Sequence, residues 1–516
     1  MEIKVLLLIL FFVCMFGVGI YCRKHASNVN DFVLGGRSVG PWLTAFAYGT
    51  SYFSAVVFIG YAGQFGWKYG VSSTWIGLGN AVIGSLLAWI VLGRRTRIMT
   101  KHLNSATMPQ FFGERYQSKS LKVASSVIVF VFLVPYTASI YNGLSRLFGM
   151  AFDVPYEVCV VVMAILTGAY VILGGYMATA INDFIQGIIM LFGIVAVILA
   201  VLNGQGGFVD ALSKLANVSG ENVKGVMQPG VYASFFGPDP LSLLSVIILT
   251  SLGTWGLPQM VHKFYAIKSE DDIAKGTIIS TLFAVVVAGG SYFLGGFGRL
   301  FDNAAIYKAD GSIAFDSIVP YMLSSVPDIL MGIIIVLVLS ASMSTLSSLV
   351  LTSSSTLTLD FIKGNIVKDM KEKTQLLLMR ILIVGFIALS VVLALDPPMF
   401  IAQLMGVSWG ALAGAFLAPF LYGLYWKKVS RASVWACFIT GTGITVCNIF
   451  FKWFSSSITA GAAAMLIGFV VVPVVTLITP KQDQKVIDEI FACYDEKVVV
   501  TSKMILVDEE EEHAGK

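Results

Sequence analysis

Pro41–Gly63 reads PWLTAFAYGTSYFSAVVFIGYAG, and Leu241–Val261 reads LSLLSVIILTSLGTWGLPQMV. Each is long and apolar enough to cross a hydrocarbon layer of about 30 Å as a helix, and each is interrupted in its middle. The first carries Gly49, Thr50, Ser51 and Ser54; the second packs Gly253, Gly256 and Pro258 into six residues. Lipid offers no partner to free N–H and C=O groups, so unwound backbone at membrane depth persists only where it lines a cavity or coordinates something. Small residues also allow close helix packing, and either segment alone fits both readings. Together, with five spans between their starts, they fit two discontinuous helices. Each opens one of two inverted repeats, and a binding site lies where the breaks meet.

The rest of the chain supports a membrane setting. Hydrophobic residues make up 57% of the 516 and charged residues 12%, against roughly 25% charged in soluble domains. About thirteen apolar spans run from Ile3–Cys22 to Ala460–Thr479, among them Val71–Gly93, Tyr156–Met177 and Ile181–Leu202. The segment after Met1 begins with Glu2 rather than a basic cluster, its apolar stretch is too long for a signal peptide, and no small-residue cleavage site follows. It is therefore expected to stay as the first span. The six cysteines are scattered without a CxxC pair and the four histidines are dispersed, which argues against disulfide, zinc and enzyme readings. A net charge of +4 gives no argument for nucleic acid.

Basic residues fall in every second loop: Arg23, Lys24 and Arg37; Arg94, Arg95, Arg97, Lys101 and Arg115; Lys263 and Lys268. The same parity continues through Lys363, Lys368, Lys371 and Lys373, then Lys427, Lys428 and Arg431, and finally Lys481 and Lys485. The positive-inside rule then predicts a cell (inner) membrane protein with its N-terminus outside and its C-terminus cytoplasmic. Expected units are residues 1–40 (first helix and cytoplasmic loop), 41–426 (a ten-helix core, with repeats over about 41–202 and 241–426), 427–480 (two further helices) and 481–516 (a polar tail). The tail closes on an acidic run, Asp508 to Glu512, of the kind usually solvated.

The ninth span reads LSASMSTLSSLVLTSSSTLTLDF and carries Ser342, Ser344, Thr345, Ser347, Ser348, Thr352 and Ser353. Hydroxyls can bond back to the carbonyl four residues earlier, yet this density exceeds that need. Na⁺ is a hard cation that prefers oxygen; an unwound helix supplies carbonyls and this span supplies hydroxyls. Asp183, in AINDFIQGIIML, is an acid within a span and so a functional candidate, or half of a capping pair with Gln186.

These segments resemble the sodium:solute symporter family, which includes bacterial proline and pantothenate symporters and the sugar–sodium cotransporters. The resemblance covers nearly the whole chain and is carried by LGGRSVGP (Leu34–Pro41), GTSYFS, ILGGYMATAINDFIQG (Ile172–Gly187) and SASMSTLSS. It implies an all-α integral membrane protein with a leucine-transporter-type core of two inverted five-helix repeats, one helix before it and two after. It places a first Na⁺ site on backbone carbonyls of Thr50, Phe53 and Ala341 and hydroxyls of Ser344 and Thr345. A possible second Na⁺ site maps to Asp183, Ser344, Ser347 and Ser348, so one or two Na⁺ would move per cycle. Arg37 matches a coupling arginine, and Ser54, Tyr136, Thr254 and Trp255 map to the solute pocket.

The resemblance also has departures. Tyr52 stands where the proline symporter has an aspartate in the first break. Thr250 and Thr254 replace two expected aromatics, with Trp255 displaced by one. The GLP triplet (Gly256–Pro258) and the DPP linker (Asp396–Pro398) look more like the pantothenate type. The expectation is a sodium-coupled importer of a small organic solute, proline-like before pantothenate-like or monocarboxylate, with the lipid bilayer as its other partner and no obligatory protein partner. A channel and a membrane sensor are the rival classes.

Overall fold

The computed structural model describes residues 2–22, 28–222, 224–324, 326–367 and 369–495. Arg23, Lys24, Lys368, the Tyr52 side chain and the acidic run from Asp508 to Glu512 lie outside the described residues. Among the described residues, ten helices are long and apolar enough to cross a membrane, or eleven when Pro240–Gly256 and Pro258–Ala266, bent by 44°, count as one. The protein is thus an all-α multi-pass membrane protein. The difference from thirteen arises in two places. Val56–His102 runs as one stretch of 47 residues; at 1.5 Å per residue that is roughly 70 Å, over twice a hydrocarbon core. The chain turns inside it at Gly70, whose φ is 64° and where a Cβ would run into the Tyr232 carbonyl oxygen. Tyr156–Ala169 is a shorter apolar helix, joined through a break at Gly175 (φ 58°, ψ −157°) to the continuation of the Tyr156–Gly204 helix.

Helix starts follow local chemistry. Pro41, Pro240 and Pro258 each stand in a first turn, where a missing N–H costs nothing. Ser118, Asp239, Ser430 and Ser456 accept N–H bonds from Leu121, Ser242, Ser433 and Thr459 at the starts of their helices.

Burial separates lipid-facing from central helices. Only 22% of the apolar window of Ile3–Cys22 is buried, against 94% for Ile401–Tyr425, so the first helix faces lipid and the second is enclosed. The Asp328–Thr356 helix packs on Tyr156–Gly204 and Lys119–Phe152 and also meets Pro41–Tyr52. Ile401–Tyr425 packs on Arg431–Phe451, Ser457–Ile478, Lys119–Phe152 and Pro240–Gly256.

The basic loops meet on one face. Arg94 pairs with Glu270 at 2.8 Å, and Arg97 donates to Ile267 O and Lys268 O. Arg115 donates to Gly423 O and Trp426 O, and Arg431 to Tyr116 O. The Gln484–Phe491 helix joins this face through Lys427–Asp488 at 3.2 Å, with Phe491 under the Arg115 guanidinium. Segments 205–222, 224–239 and 296–324 lie at the opposite ends of the helices, where Arg299 sits between the rings of Trp67 and Tyr232. The short antiparallel pair Gly220–Glu221 and Met227–Gln228 belongs to this second set.

Candidate ion and solute site

Both predicted breaks are present, and their backbones match. Pro41–Tyr52 ends at Phe53 with φ −88° and ψ 116°; Pro240–Gly256 ends at Leu257 with φ −83° and ψ 122°. One extended residue in each helix removes i→i−4 bonds and leaves carbonyls without their helical donors. At the second break Pro258 also lacks an N–H. At the first, the chain resumes when Val57 N and Phe58 N both donate to Ser54 O at 3.0 Å.

The freed oxygens of the first break face the hydroxyl-rich helix. Thr345 Oγ1 lies 3.2 Å from Thr50 O, 3.2 Å from Phe53 O and 3.1 Å from Ala341 O. Ser344 Oγ donates to Thr50 Oγ1 at 2.7 Å. All five residues of the first expected Na⁺ set therefore converge, and all are buried. One hydroxyl proton cannot serve three carbonyls at once, so oxygen is in excess there. Ligands at right angles around a cation held at about 2.4 Å lie about 3.4 Å apart, close to this spacing. Ser342, in sequence one more hydroxyl of the run, serves the backbone instead, its Oγ accepting the Ala55 N–H at 3.2 Å just past the break.

The second expected set is arranged differently. Asp183 lies within the helix that follows Gly175, not at a helix start, and Gln186 Nε2 donates to Met15 Sδ instead; the capping pair is absent. The Asp183 carboxylate is fully buried, and neither oxygen accepts a hydrogen bond among the described residues. Its near neighbour is a cation that the sequence places among the loop charges. Lys263 Nζ lies 3.8 Å from Asp183 Oδ2, donates to Ser348 Oγ at 3.0 Å and stands over the Tyr176 ring. Ser348 Oγ also meets Ser51 Oγ at 3.0 Å, while Ser347 Oγ bonds to Ser344 O. Lys263 thus stands among the oxygens assigned to a second Na⁺.

Of the expected solute residues, Ser54 and the buried Tyr136 hydroxyl lie side by side, and the Tyr136 ring meets Trp409 edge-on at 5.8 Å. Trp409 also closes on the second broken helix, where a Cβ on Gly253 would lie 2.8 Å from its ring. Nothing in LMGVSWGALAG marked that tryptophan, since one aromatic in an apolar run carries no local signal. Thr254 and Trp255 direct their polar atoms elsewhere: Thr254 Oγ1 donates to Gly84 O and Trp255 Nε1 to Ile83 O. Arg37, with φ 55°, aims its guanidinium across the basic face to Tyr265 O at 3.1 Å, Ser105 O at 2.6 Å and Thr100 O at 3.3 Å. It clamps the end of the second broken helix to the 100–105 segment. Burial lowers its pKa to about 10, so it stays a cation at neutral pH.

Two discontinuous helices, one of them facing a hydroxyl-rich partner across an oxygen cluster, define a secondary transporter. The chain belongs to the sodium:solute symporter family, whose pattern matches residues 32–441. It is 29% identical over 496 residues to a sodium/proline symporter of Staphylococcus aureus, covering 93% of each chain. It is 27% identical over 447 residues to the osmoregulated proline transporter OpuE of Bacillus subtilis, covering 86% of this chain and 88% of that one. Its fold is that of a solved Na⁺-coupled sialic acid symporter in a substrate-bound, outward-open state, with TM-score 0.76 over 93% of this chain and 98% of that one at 14% identity. The leucine-transporter-type architecture expected from the sequence is therefore the fold of this protein.

Proposed function

We propose that this protein imports a small amino acid, proline-like, together with Na⁺, by alternating access. The observation that carries the ion half is the meeting of Thr345 Oγ1 with three carbonyls from two elements. Na⁺ at Thr50, Phe53, Ala341, Ser344 and Thr345 would join the first broken helix to the hydroxyl-rich helix. Ordering the break in this way shapes the neighbouring pocket at Ser54 and Tyr136. To these we add Trp409, with Thr254 and Trp255 forming the wall behind. Two relatives named for proline support the amino-acid reading. The matching extended residues Phe53 and Leu257 support inverted repeats over about 41–202 and 241–426, with Arg37 holding the cytoplasmic gate shut.

The clustering of basic loops on one face supports a cell-membrane orientation with the N-terminus outside and that face in the cytoplasm. The solute is then driven inward by the Na⁺ gradient and the potential, at about 2.3 kcal/mol per charge per 100 mV. Asp183, Ser344, Ser347 and Ser348 serve a second Na⁺ only in a state from which Lys263 has withdrawn. Two cations 4 Å apart repel by about 4 kcal/mol at an effective dielectric of 20. We therefore assign one Na⁺ per cycle to the state with Lys263 in place.

The test is Na⁺-dependent uptake of L-proline, pantothenate and lactate into proteoliposomes. Proline should accumulate, and Thr345→Val should raise the Na⁺ concentration for half-maximal uptake about tenfold or more, the loss of one ligand being roughly 1.4 kcal/mol. Thr345→Ser keeps the hydroxyl and should stay near wild type. Unchanged Na⁺ dependence in Thr345→Val removes the site; accumulation of pantothenate or lactate without proline replaces the solute.

A further inference from the structure

A groove of about 320 Å³ runs along the lipid-facing side of the molecule, between the first part of the Tyr156–Gly204 helix and the Glu372–Leu395 helix, which pack together. Its floor is Ala164, Gly168 and Ile387, all buried, and its rims are Val161, Ile165 and Val384, all exposed. No lining residue carries a polar side chain. From Ile172 to Val161 the groove follows eleven residue steps of helix, about 16 Å at 1.5 Å per residue.

Two contacts fix how the helices lie against each other. A Cβ on Gly168 would lie 3.1 Å from Ile387 Cδ1, and one on Gly175 would lie 2.9 Å from the Phe32 ring. Phe32 is also the ring beside Arg380, its centre 6.0 Å from the guanidinium carbon. Seven residues separate Gly168 from Gly175, and seven separate Ile387 from Arg380. The helices are therefore antiparallel, and Arg380 stands two turns from the middle of the groove, at the end nearer the basic face. Glu372, which opens the helix of Arg380, accepts the Val29 N–H at 2.9 Å, close to the segment that carries Arg37.

Arg380 is a charge in an apolar stretch: Leu376–Met379 before it and Ile381–Leu389 after it carry no polar side chain. It lies eight residues into its helix, about 12 Å from the start. Its side chain tilts back towards that start, where a long cationic side chain reaches the headgroup boundary. Among the described residues it makes no ion pair, and its Nε is buried without a hydrogen-bond partner. A cation within a membrane helix is ordinarily paired, so Arg380 calls for an anion from outside the protein.

A phospholipid with an anionic headgroup matches both parts. Its phosphate accepts two N–H bonds from a planar guanidinium, and an acyl chain continues from that point into an apolar groove. Basic pockets between membrane helices are suited to such headgroups. We propose that Arg380 and the groove beside it form a binding site for one anionic phospholipid of the membrane. A zwitterionic lipid fills the groove equally well but brings its own ammonium, so headgroup charge decides between the two classes. The site is independent of which solute is carried, and its test leaves the amino-acid reading untouched.

The test is native mass spectrometry of the purified full-length protein in detergent with dioleoylphosphatidylglycerol or dioleoylphosphatidylcholine. One phosphatidylglycerol per chain should be retained, at about tenfold lower concentration than phosphatidylcholine, in line with one charge-assisted contact. Arg380→Gln should abolish that preference, and Arg380→Lys, which keeps the charge, should retain part of it. Ala388→Phe, which fills the groove from its exposed side, should lose the lipid with Arg380 in place. Arg94→Gln, which removes an exposed charge of the basic face, should bind like the wild type. Equal retention of the two lipids, or phosphatidylglycerol held undiminished by either Arg380→Gln or Ala388→Phe, overturns the site. Displacement of the lipid by equal concentrations of sn-glycerol 3-phosphate overturns it too, because the groove then adds nothing. So does a dimer that Ala388→Phe dissociates, which puts a second copy of the chain in the groove.

Discussion

Thr345 carries its hydroxyl into a space already crowded with oxygen, and Lys263 carries its ammonium into one already holding Asp183. These two residues set the electrostatics of the core in opposite ways. Around Thr345 the oxygens are neutral, so a monovalent cation can be held and still released. Around Asp183 the charge is already balanced by a tethered cation 3.8 Å away. Removing one partner of a buried pair leaves an uncompensated charge, ordinarily at a cost of about 3–5 kcal/mol, unless a mobile cation replaces it. Lys263→Gln should therefore recruit a second Na⁺. The charge moved per solute, measured from reversal potentials in proteoliposomes, should rise from one to two. A ratio of two in the wild type, or an unchanged ratio in the variant, sinks the assigned role of Lys263.

At the scale of elements, glycine decides how closely helices approach. A Cβ on Gly66 would run into the Gly295 carbonyl oxygen, and one on Gly295 into Ala62 O, both well inside van der Waals contact. The Ala62–Tyr69 and Gly290–Gly295 helices thus touch backbone to backbone, and no rotamer change can relieve a side chain there. Gly66→Ala should destabilise the protein by about 1–3 kcal/mol or more, seen as a lower thermal midpoint in detergent. Gly17→Ala, where a Cβ meets nothing within 4 Å, is the matched control and should leave the midpoint unchanged. The breaks were legible in sequence at this scale, because Gly, Ser and Pro clustered in an apolar run are a local signal. The run of hydroxyls was legible for the same reason. The side-chain directions beyond the second break were not: Thr254 and Trp255 turn to Gly84 and Ile83, a choice made by the neighbouring helix.

For the whole molecule, the alternation of basic loops becomes a single face on which Arg37, Arg97 and Arg115 bind loop carbonyls. The Gln484–Phe491 helix lies against that face. With that face cytoplasmic, Ser312→Cys should react with a membrane-impermeant maleimide in intact cells, and Lys485→Cys only after permeabilisation, in a chain whose exposed Cys14 is replaced by serine. The reverse pattern inverts the orientation.

With the residues of the oxygen cluster picked out only by the family resemblance, the sequence by itself determined the membrane class, the pattern of loop charge, the two breaks and the run of hydroxyls. Each of these is written in neighbouring residues, as hydropathy or as local backbone chemistry. The tertiary structure decided which of them meet. Thr345 reaches Thr50 across 295 positions and Lys263 reaches Ser348 across 85. Lys263 looks in sequence like any charge flanking a membrane helix, and Trp409 carries no motif. Their roles arise from helix packing, which places a cation beside a buried acid in one location and a tryptophan against Tyr136 in another.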